Sequence, residues 1–241
     1  MEPVENQTQL RYEKRWQNAI AAGIEQAGNL DLNLLFLEQT GLLTPDKNSL
    51  ELGCGVGLLV LALYQKGLTI IGSDISQTAI DHAREKFPGL DFRVFSAEKI
   101  PCSSDIFDLV LSFDVIEHLH DVDCHFREVR RILKPGGHYL FQTPNKLTNV
   151  IFETLKSRSF YWRIYHPSLH YYGQLHRRLQ RHGFSSKFIK MNTMNAYTLT
   201  KLSNVGLPQS LFRWIDFRRL PYRMQTNFFV IAEKQPESSF E

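Results

Sequence analysis

The stretch from Ser49 to Val60, Ser-Leu-Glu-Leu-Gly-Cys-Gly-Val-Gly-Leu-Leu-Val, constrains the fold more than any other part of the 241-residue chain. An apolar strand passes through three alternate glycines into an apolar helix. Gly53, Gly55 and Gly57 let the backbone approach a ligand closely and adopt dihedrals that a Cβ forbids, and the new helix points its free N–H groups at the same place. A dinucleotide-binding turn carries its last glycine three residues after the second, where Leu58 stands here, and Glu51 would set a negative charge beside two phosphates. The turn therefore suits a cationic ligand that lacks phosphate.

Strands and helices alternate on either side of it. A helix is expected over 10–26, with Tyr12, Trp16, Ile20 and Ile24 forming one apolar stripe, and residues 1–8 are expected to be loose. A second helix over 31–40 stops at Gly41. Beyond the glycine turn, a helix to Gly67, a strand over 68–73 and a helix capped by Ser76 follow in turn. Strands are expected over 92–95, 107–113 and 137–142, with a helix over 121–133 and a turn at Lys134-Pro-Gly-Gly137. This alternation implies an α/β fold with a doubly wound parallel sheet. The tail reads as a helix over 168–182, a strand over 186–191 and a strand over 226–234. Between the last two, 192–225 is long for a loop. Within it, Pro208 opens a helix carrying Leu211, Phe212, Trp214, Ile215 and Phe217 beside Arg213, Arg218 and Arg219.

Bulk properties exclude several classes. Cys54, Cys102 and Cys124 are too scattered for a disulfide framework or a spaced zinc site. The longest apolar run, Leu58–Tyr64, is too short to span a bilayer, and no basic-then-apolar leader stands at the N-terminus, so a cytoplasmic location is expected. The net charge is only +3, yet no Asp or Glu occurs between Glu153 and Asp216, where Lys156, Arg158, Arg163, Arg177, Arg178, Arg181, Lys187, Lys190, Lys201 and Arg213 fall. Such a half carries a positive field that suits an acidic or lipid-like small molecule or an anionic membrane surface. No RNA-binding module is legible in it.

Several motifs occur in a set order: Glu51-Leu-Gly-Cys-Gly-Val-Gly57, Gly72-Ser-Asp74, Ala97-Glu98, Phe107-Asp108, Phe113-Asp-Val-Ile-Glu-His-Leu119 and Leu133-Lys-Pro-Gly-Gly137. Over about Leu50 to Asn145 the chain thus resembles the class I S-adenosylmethionine-dependent methyltransferases, nearest to the small-molecule branch that includes the ubiquinone-biosynthesis O-methyltransferases. The resemblance implies a Rossmann-like sheet of about seven strands, mostly parallel with an antiparallel closing strand. N-terminal helices and a helical insertion before the last strand complete it. Residues 1–45 then form a helical cap and 46–241 the methyltransferase domain, with 192–225 inserted. Tyr12 and Trp16 are read either as packing residues or as part of a lid.

The cofactor implied is S-adenosyl-L-methionine. Gly53, Cys54, Gly55 and Gly57 give it close backbone contact, and Glu51 sits near its amino-acid end. Asp74, 23 residues after Glu51 at the end of the next strand, can accept two hydrogen bonds from the ribose diol, with Ile75 beside it. Adenine is expected near Ser96, Ala97 and Glu98, although Ser96 stands where the family commonly has Asp. Phe113 and Asp114 flank the adenosine and the donor methyl.

His118, which also borders the cofactor, is the first candidate for a base that takes the acceptor proton. Glu117 is the second, or the group that orients His118. One acid and one imidazole with no third ligand at a set spacing make no metal site, and none is expected. Gln142, Thr143, Pro144 and Asn145 lie where acceptor-contacting loops belong, and His166, His170, Tyr171, Tyr172 and His176 are candidates for the substrate wall. The expected activity is methyl transfer to an oxygen of a quinone, polyketide or lipid-like metabolite, and the segment 192–225 is expected either to cap the active site or to make a peripheral membrane contact. The alternatives are methylation of RNA or protein through the basic half, and a non-catalytic cofactor binder.

Overall fold

A computed structural model of the chain describes residues 4–24, 29–157, 166–204, 206, 208–212 and 214–236. Seven strands form one sheet: β1 (Asn48–Leu52), β2 (Thr69–Asp74), β3 (Asp91–Val94), β4 (Phe107–Phe113), β5 (Leu133–Pro144), β6 (Phe184–Ile189) and β7 (Asn227–Lys234). Their order is β3-β2-β1-β4-β5-β7-β6. β1 to β5 pair in parallel, whereas β7 runs antiparallel to both β5 and β6. The order reverses between β1 and β4, and the carboxyl ends of those neighbours open a crevice where doubly wound sheets bind ligands.

The central strands are rich in buried apolar residues because both faces of the sheet are covered. Leu50, Leu52, Leu109, Val110 and Leu111 have no exposure at all. One face packs Phe126, Phe141, Leu175 and Phe184, and the other packs Phe36, Leu59, Leu63 and Phe229. Of these, Phe36 comes from α2 (Leu30–Thr40), Leu59 and Leu63 from α3 (Leu58–Gln65), Phe126 from α5 (Val122–Ile132) and Leu175 from α7 (Tyr172–Arg181), while Phe141, Phe184 and Phe229 belong to the sheet itself.

α1 (Val4–Ala21) packs on α4 (Gln77–Lys86) through an unusual cap. The Glu13 carboxylate accepts the Gln77 N–H, the Thr78 N–H (3.1 Å) and the Ser76 hydroxyl (3.1 Å). An acid from one helix thus satisfies the unpaired donors at the start of another, where the helix dipole favours negative charge. Burial alone would raise the Glu13 carboxyl, but these bonds hold it below its ordinary range.

Some expectations need correction. Residues 4–8, expected to be loose, belong to α1, which ends at Ala21. Ile24 therefore falls off the apolar stripe and is exposed; the expected end of that helix at 26 lies outside the described residues. Lys134-Pro-Gly-Gly137 belongs to β5 instead of forming a separate turn. The strand shifts register against β4 between Phe107 and Leu109, and Gly136 takes a φ of 72°.

α6 (Lys146–Ser157) follows β5 directly and was not foreseen. α7 starts at Tyr172, because Ser168 bonds to the segment after β4 instead of capping a helix. In 192–225, α8 (Ala196–Asn204) is a further unforeseen helix. The helix after Pro208 is only α9 (Gln209–Phe212), so Trp214, Ile215 and Phe217 lie beyond it. Arg158, Arg163 and Arg213 lie outside the described residues.

Candidate functional site

A cavity of about 370 Å³ lies between the N-terminal helices and the carboxyl edge of the sheet. Its floor is the glycine turn. Gly53 and Gly55 hold φ values of 74° and 53°, which a side chain rarely adopts. A Cβ on Gly55 would stand 2.4 Å from the Trp16 ring, so that glycine lets α1 close onto the turn. Gly57 plays another part and does not line the cavity. A Cβ there would strike the Phe92 ring at 2.5 Å, so this third glycine serves the packing of α3 against β3.

Asp74, at the end of β2, reaches across to the turn. Its two carboxylate oxygens accept the Gly55 and Ser76 N–H groups, each at 2.9 Å. Burial raises its carboxyl, and those N–H bonds work in the opposite direction. Each oxygen keeps a second lone pair for a further donor. Glu51 is also buried, and its Oε2 has no hydrogen-bond partner. Burial, with the Asp74 charge in support, pushes the Glu51 carboxyl up to about 8. With Asp114 and Glu117 also in the walls, the cavity is rich in acid. An orphaned buried carboxyl beside a paired one fits a ligand that brings an ammonium and a diol.

The side wall is formed by Phe95, Ser96, Ala97 and Glu98. Ser96 Oγ accepts the Glu98 N–H (3.2 Å), and the Glu98 carboxylate accepts the Asp121 N–H at the start of α5 (2.6 Å). The Glu98 side chain is therefore tied to the fold, leaving the backbone of this segment and the Ser96 hydroxyl to meet a ligand. Ile75 and Phe113 complete the wall. Asp114 adopts a φ of 55°, tolerable for Asp, while its N–H points at Gln142.

At the far end, Glu117 is buried and accepts the Thr143 hydroxyl (3.0 Å). Burial, and then the Asp114 charge, raises its carboxyl well above the usual range. Its Oε1 is 3.9 Å from His118 Nε2. Tyr12 meets the His118 ring edge-on at 5.7 Å, and His166 lies against the same ring at 4.9 Å.

The contact with His166 arises from a tether two residues further on. The Ser168 N–H bonds the Glu117 carbonyl (3.1 Å) and its hydroxyl bonds the Leu119 carbonyl (2.6 Å). His166 Nδ1 is buried without a partner, and burial followed by the His118 charge lowers its pKa to about 4.

Apart from Gly57, every site residue singled out in the sequence lines this one cavity, and so do Tyr12 and Trp16. Of the wall candidates, His166 and Pro144 do as well. Tyr172 and His176 instead stack together near Phe188, and His170 bonds Arg178. Sequence reasoning missed Arg15, Asn33, Asn149 and Glu153. The last two stand one turn apart on α6, and the only sequence signal for that helix is the spacing of Leu147, Val150, Ile151 and Leu155.

If the Glu51 carboxyl receives a ligand ammonium, binding must strip its proton. Affinity for S-adenosylhomocysteine is then expected to rise between pH 6 and 8, by at most about tenfold per unit, and to level off above the raised pKa. In calorimetry, Glu51→Gln should flatten this slope; a slope kept by the variant would remove Glu51 from the proton balance.

Comparison with known proteins narrows the chemistry. The family described as "Methyltransferase domain" matches residues 50–141. A ubiquinone biosynthesis O-methyltransferase of Chelativorans sp. (strain BNC1) is 31% identical over 191 residues, covering 77% of this chain and 70% of that protein. Another, from Bartonella bacilliformis, is 35% identical over 101 residues, 40% of this chain and 41% of its own length. An S-adenosylmethionine-dependent methyltransferase structure from Mesorhizobium loti superposes with a TM-score of 0.64 at 18% identity, covering 86% of this chain and all of that one. The sheet order, the acid-rich crevice and the extended similarity to the Chelativorans protein agree, and the chain belongs to the class I S-adenosylmethionine-dependent methyltransferases, with S-adenosylmethionine as its cofactor.

Proposed function

We propose that this enzyme methylates a hydroxyl oxygen of a small-molecule acceptor, with a quinone, polyketide or lipid-like metabolite as the class. The observation that carries this reading is the pair of imidazoles, His118 and His166, side by side in the cavity wall. An oxygen acceptor must lose a proton, and imidazole is the side chain suited to taking it near neutrality. That the Chelativorans and Bartonella relatives are O-methyltransferases by name supports oxygen as the methylated atom.

In this reading Glu51 binds the ammonium of the methionine end and the backbone at Gly53, Cys54 and Gly55 lies along it. Asp74 and Ile75 hold the ribose, Ser96, Ala97 and Glu98 border adenine, and Phe113 and Asp114 flank the reacting end. The cofactor, when bound, supplies a methyl group on a cationic sulfur. His118 accepts the acceptor proton. Glu117, fixed by Thr143, holds the segment that carries His118. α1 closes the cavity with Tyr12 and Trp16, excluding water from the transfer.

The test is incubation with methyl-labelled S-adenosylmethionine and an extract of small metabolites and lipids, followed by mass spectrometry. Label in an extractable methyl ether is the expected result. Label found only in RNA or protein, or on nitrogen or carbon, overturns the reading. With the acceptor in hand, His118→Gln is expected to lower kcat at least about tenfold while cofactor affinity holds.

A membrane contact belongs to the same reading. α6 exposes Leu147 and Ile151 on one face, the turn packed on α6 exposes Met224, and Trp214 is 81% exposed near Arg218 and Arg219. Exposed apolar side chains in a basic part of the chain suit an anionic lipid surface. No helix among the described residues is long and apolar enough to cross a membrane. Vesicles containing phosphatidylglycerol should float the wild type and release an Ile151→Ser, Trp214→Ala double variant. Equal flotation of the two would dismiss the contact.

A further inference from the structure

The segment 95–106, which follows β3, belongs to no strand or helix, so its backbone groups need partners from elsewhere. α5 and its N-cap provide them from one face. The Asp121 N–H donates to the Glu98 carboxylate (2.6 Å) and the Cys124 thiol to the Glu98 carbonyl (3.2 Å). His125 Nδ1 bonds the Ala97 carbonyl (2.8 Å), and Glu128 accepts the Ile100 N–H (2.9 Å). Positions 121, 124, 125 and 128 have the spacing of a single helical face.

Of these four residues only His125 is completely buried, and it reaches beyond the segment. Its Nε2 bonds the Tyr139 hydroxyl of β5 (2.9 Å), which in turn bonds Ser112 of β4. A carbonyl can only accept, so Nδ1 carries the ring proton, Nε2 accepts from Tyr139, and the Tyr139 oxygen accepts from Ser112. One tautomer satisfies every member of this chain. Burial keeps the imidazole neutral by lowering its pKa to about 4.

We infer that His125 is the positioning residue of the adenine subsite: by clamping the Ala97 carbonyl to β4 and β5, it sets the backbone at Ser96–Ala97 to the depth at which the base is read. The inference rests on the placement of adenine proposed above. A carboxylate cannot take over this task here, because Ser96 stands at the position and its oxygen already accepts the Glu98 N–H. Recognition of the base therefore falls to backbone groups and one hydroxyl. Backbone groups discriminate only when something rigid holds them, and the buried imidazole chain is that support.

The test is calorimetry with S-adenosylhomocysteine and with S-inosylhomocysteine, in which hypoxanthine replaces adenine. Wild type is expected to prefer the adenine ligand. His125→Phe keeps an aromatic ring and loses both bonds; it should weaken S-adenosylhomocysteine at least about tenfold and the inosyl ligand by less than about threefold, so that the preference collapses. Tyr139→Phe keeps the Ala97 bond and with it the tautomer, but leaves the buried Nε2 without its donor and cuts the tie of the ring to β5, and a drop of about threefold in the same preference is expected. This second variant decides the matter where His125→Phe does not fold. A preference preserved in whichever variant folds, or an equal loss for both ligands, overturns the role of His125. A wild type that binds both ligands alike overturns instead the placement of adenine at Ser96–Glu98.

Discussion

Asp74→Ala is expected to weaken binding of S-adenosylhomocysteine by at least about a hundredfold, since each hydrogen bond to a charged acceptor contributes about 1.5–3 kcal/mol. In the proposed binding mode two such bonds from the ribose diol are lost together. The variant also releases the Gly55 and Ser76 N–H groups, both now bound at 2.9 Å, so the glycine turn loses its tie to β2. Asn at this position keeps one acceptor oxygen and turns the other into a donor that faces an N–H. Its affinity should fall between those of the wild type and the alanine variant. Calorimetry near pH 7.5 measures all three, and a loss of less than about tenfold for the alanine variant would detach Asp74 from the cofactor.

Gly55→Ala carries the second large effect. The left-handed φ of 53° costs a non-glycine residue about 1–2 kcal/mol. The new methyl group must also displace the Trp16 ring, 2.4 and 2.7 Å away at its nearest atoms. Trp16 is buried, so α1 has to lift from the turn. Gly41→Ala is the control, because its φ of 67° imposes similar strain while nothing lies within 4 Å of the added carbon. The control is expected to lower Tm by about 2–8 °C. Gly55→Ala should lower it further, shift tryptophan emission to the red and abolish cofactor-induced stabilisation. Indistinguishable melting of the two variants would mean that Trp16 does not rest on the turn.

Much of this site was legible in the sequence because its parts are local. A strand, a glycine turn and a helix are written in consecutive residues, and Asp74 is placed by the length of one helix and one strand. The alternation of elements was enough to imply the parallel sheet. What stayed hidden depends on contacts between distant segments. Gly57 looks like its two neighbours in sequence, yet Phe92, 35 residues on, makes it a packing glycine. Proline and glycines at 135–137 advertise a turn, but pairing with β4 draws them into a kinked strand. His166 is one histidine among several until Ser168 ties it to the segment after β4. Helix α6 went unseen because its polar cavity face, with Asn149 and Glu153, interrupts the apolar pattern.

The cap that Glu13 places on α4 joins two events that a simple lid would keep separate. The same turn of chain, Asp74 to Thr78, offers its Asp74 carboxylate to the nucleoside and its backbone donors to Glu13. Whatever steadies that turn steadies both. With the nucleoside on Asp74 as proposed, occupancy of the pocket and docking of the first helix become linked, and bound ligand is expected to slow proteolysis of the amino-terminal end, more so for a tighter ligand. The roof of the pocket is held in place by the floor.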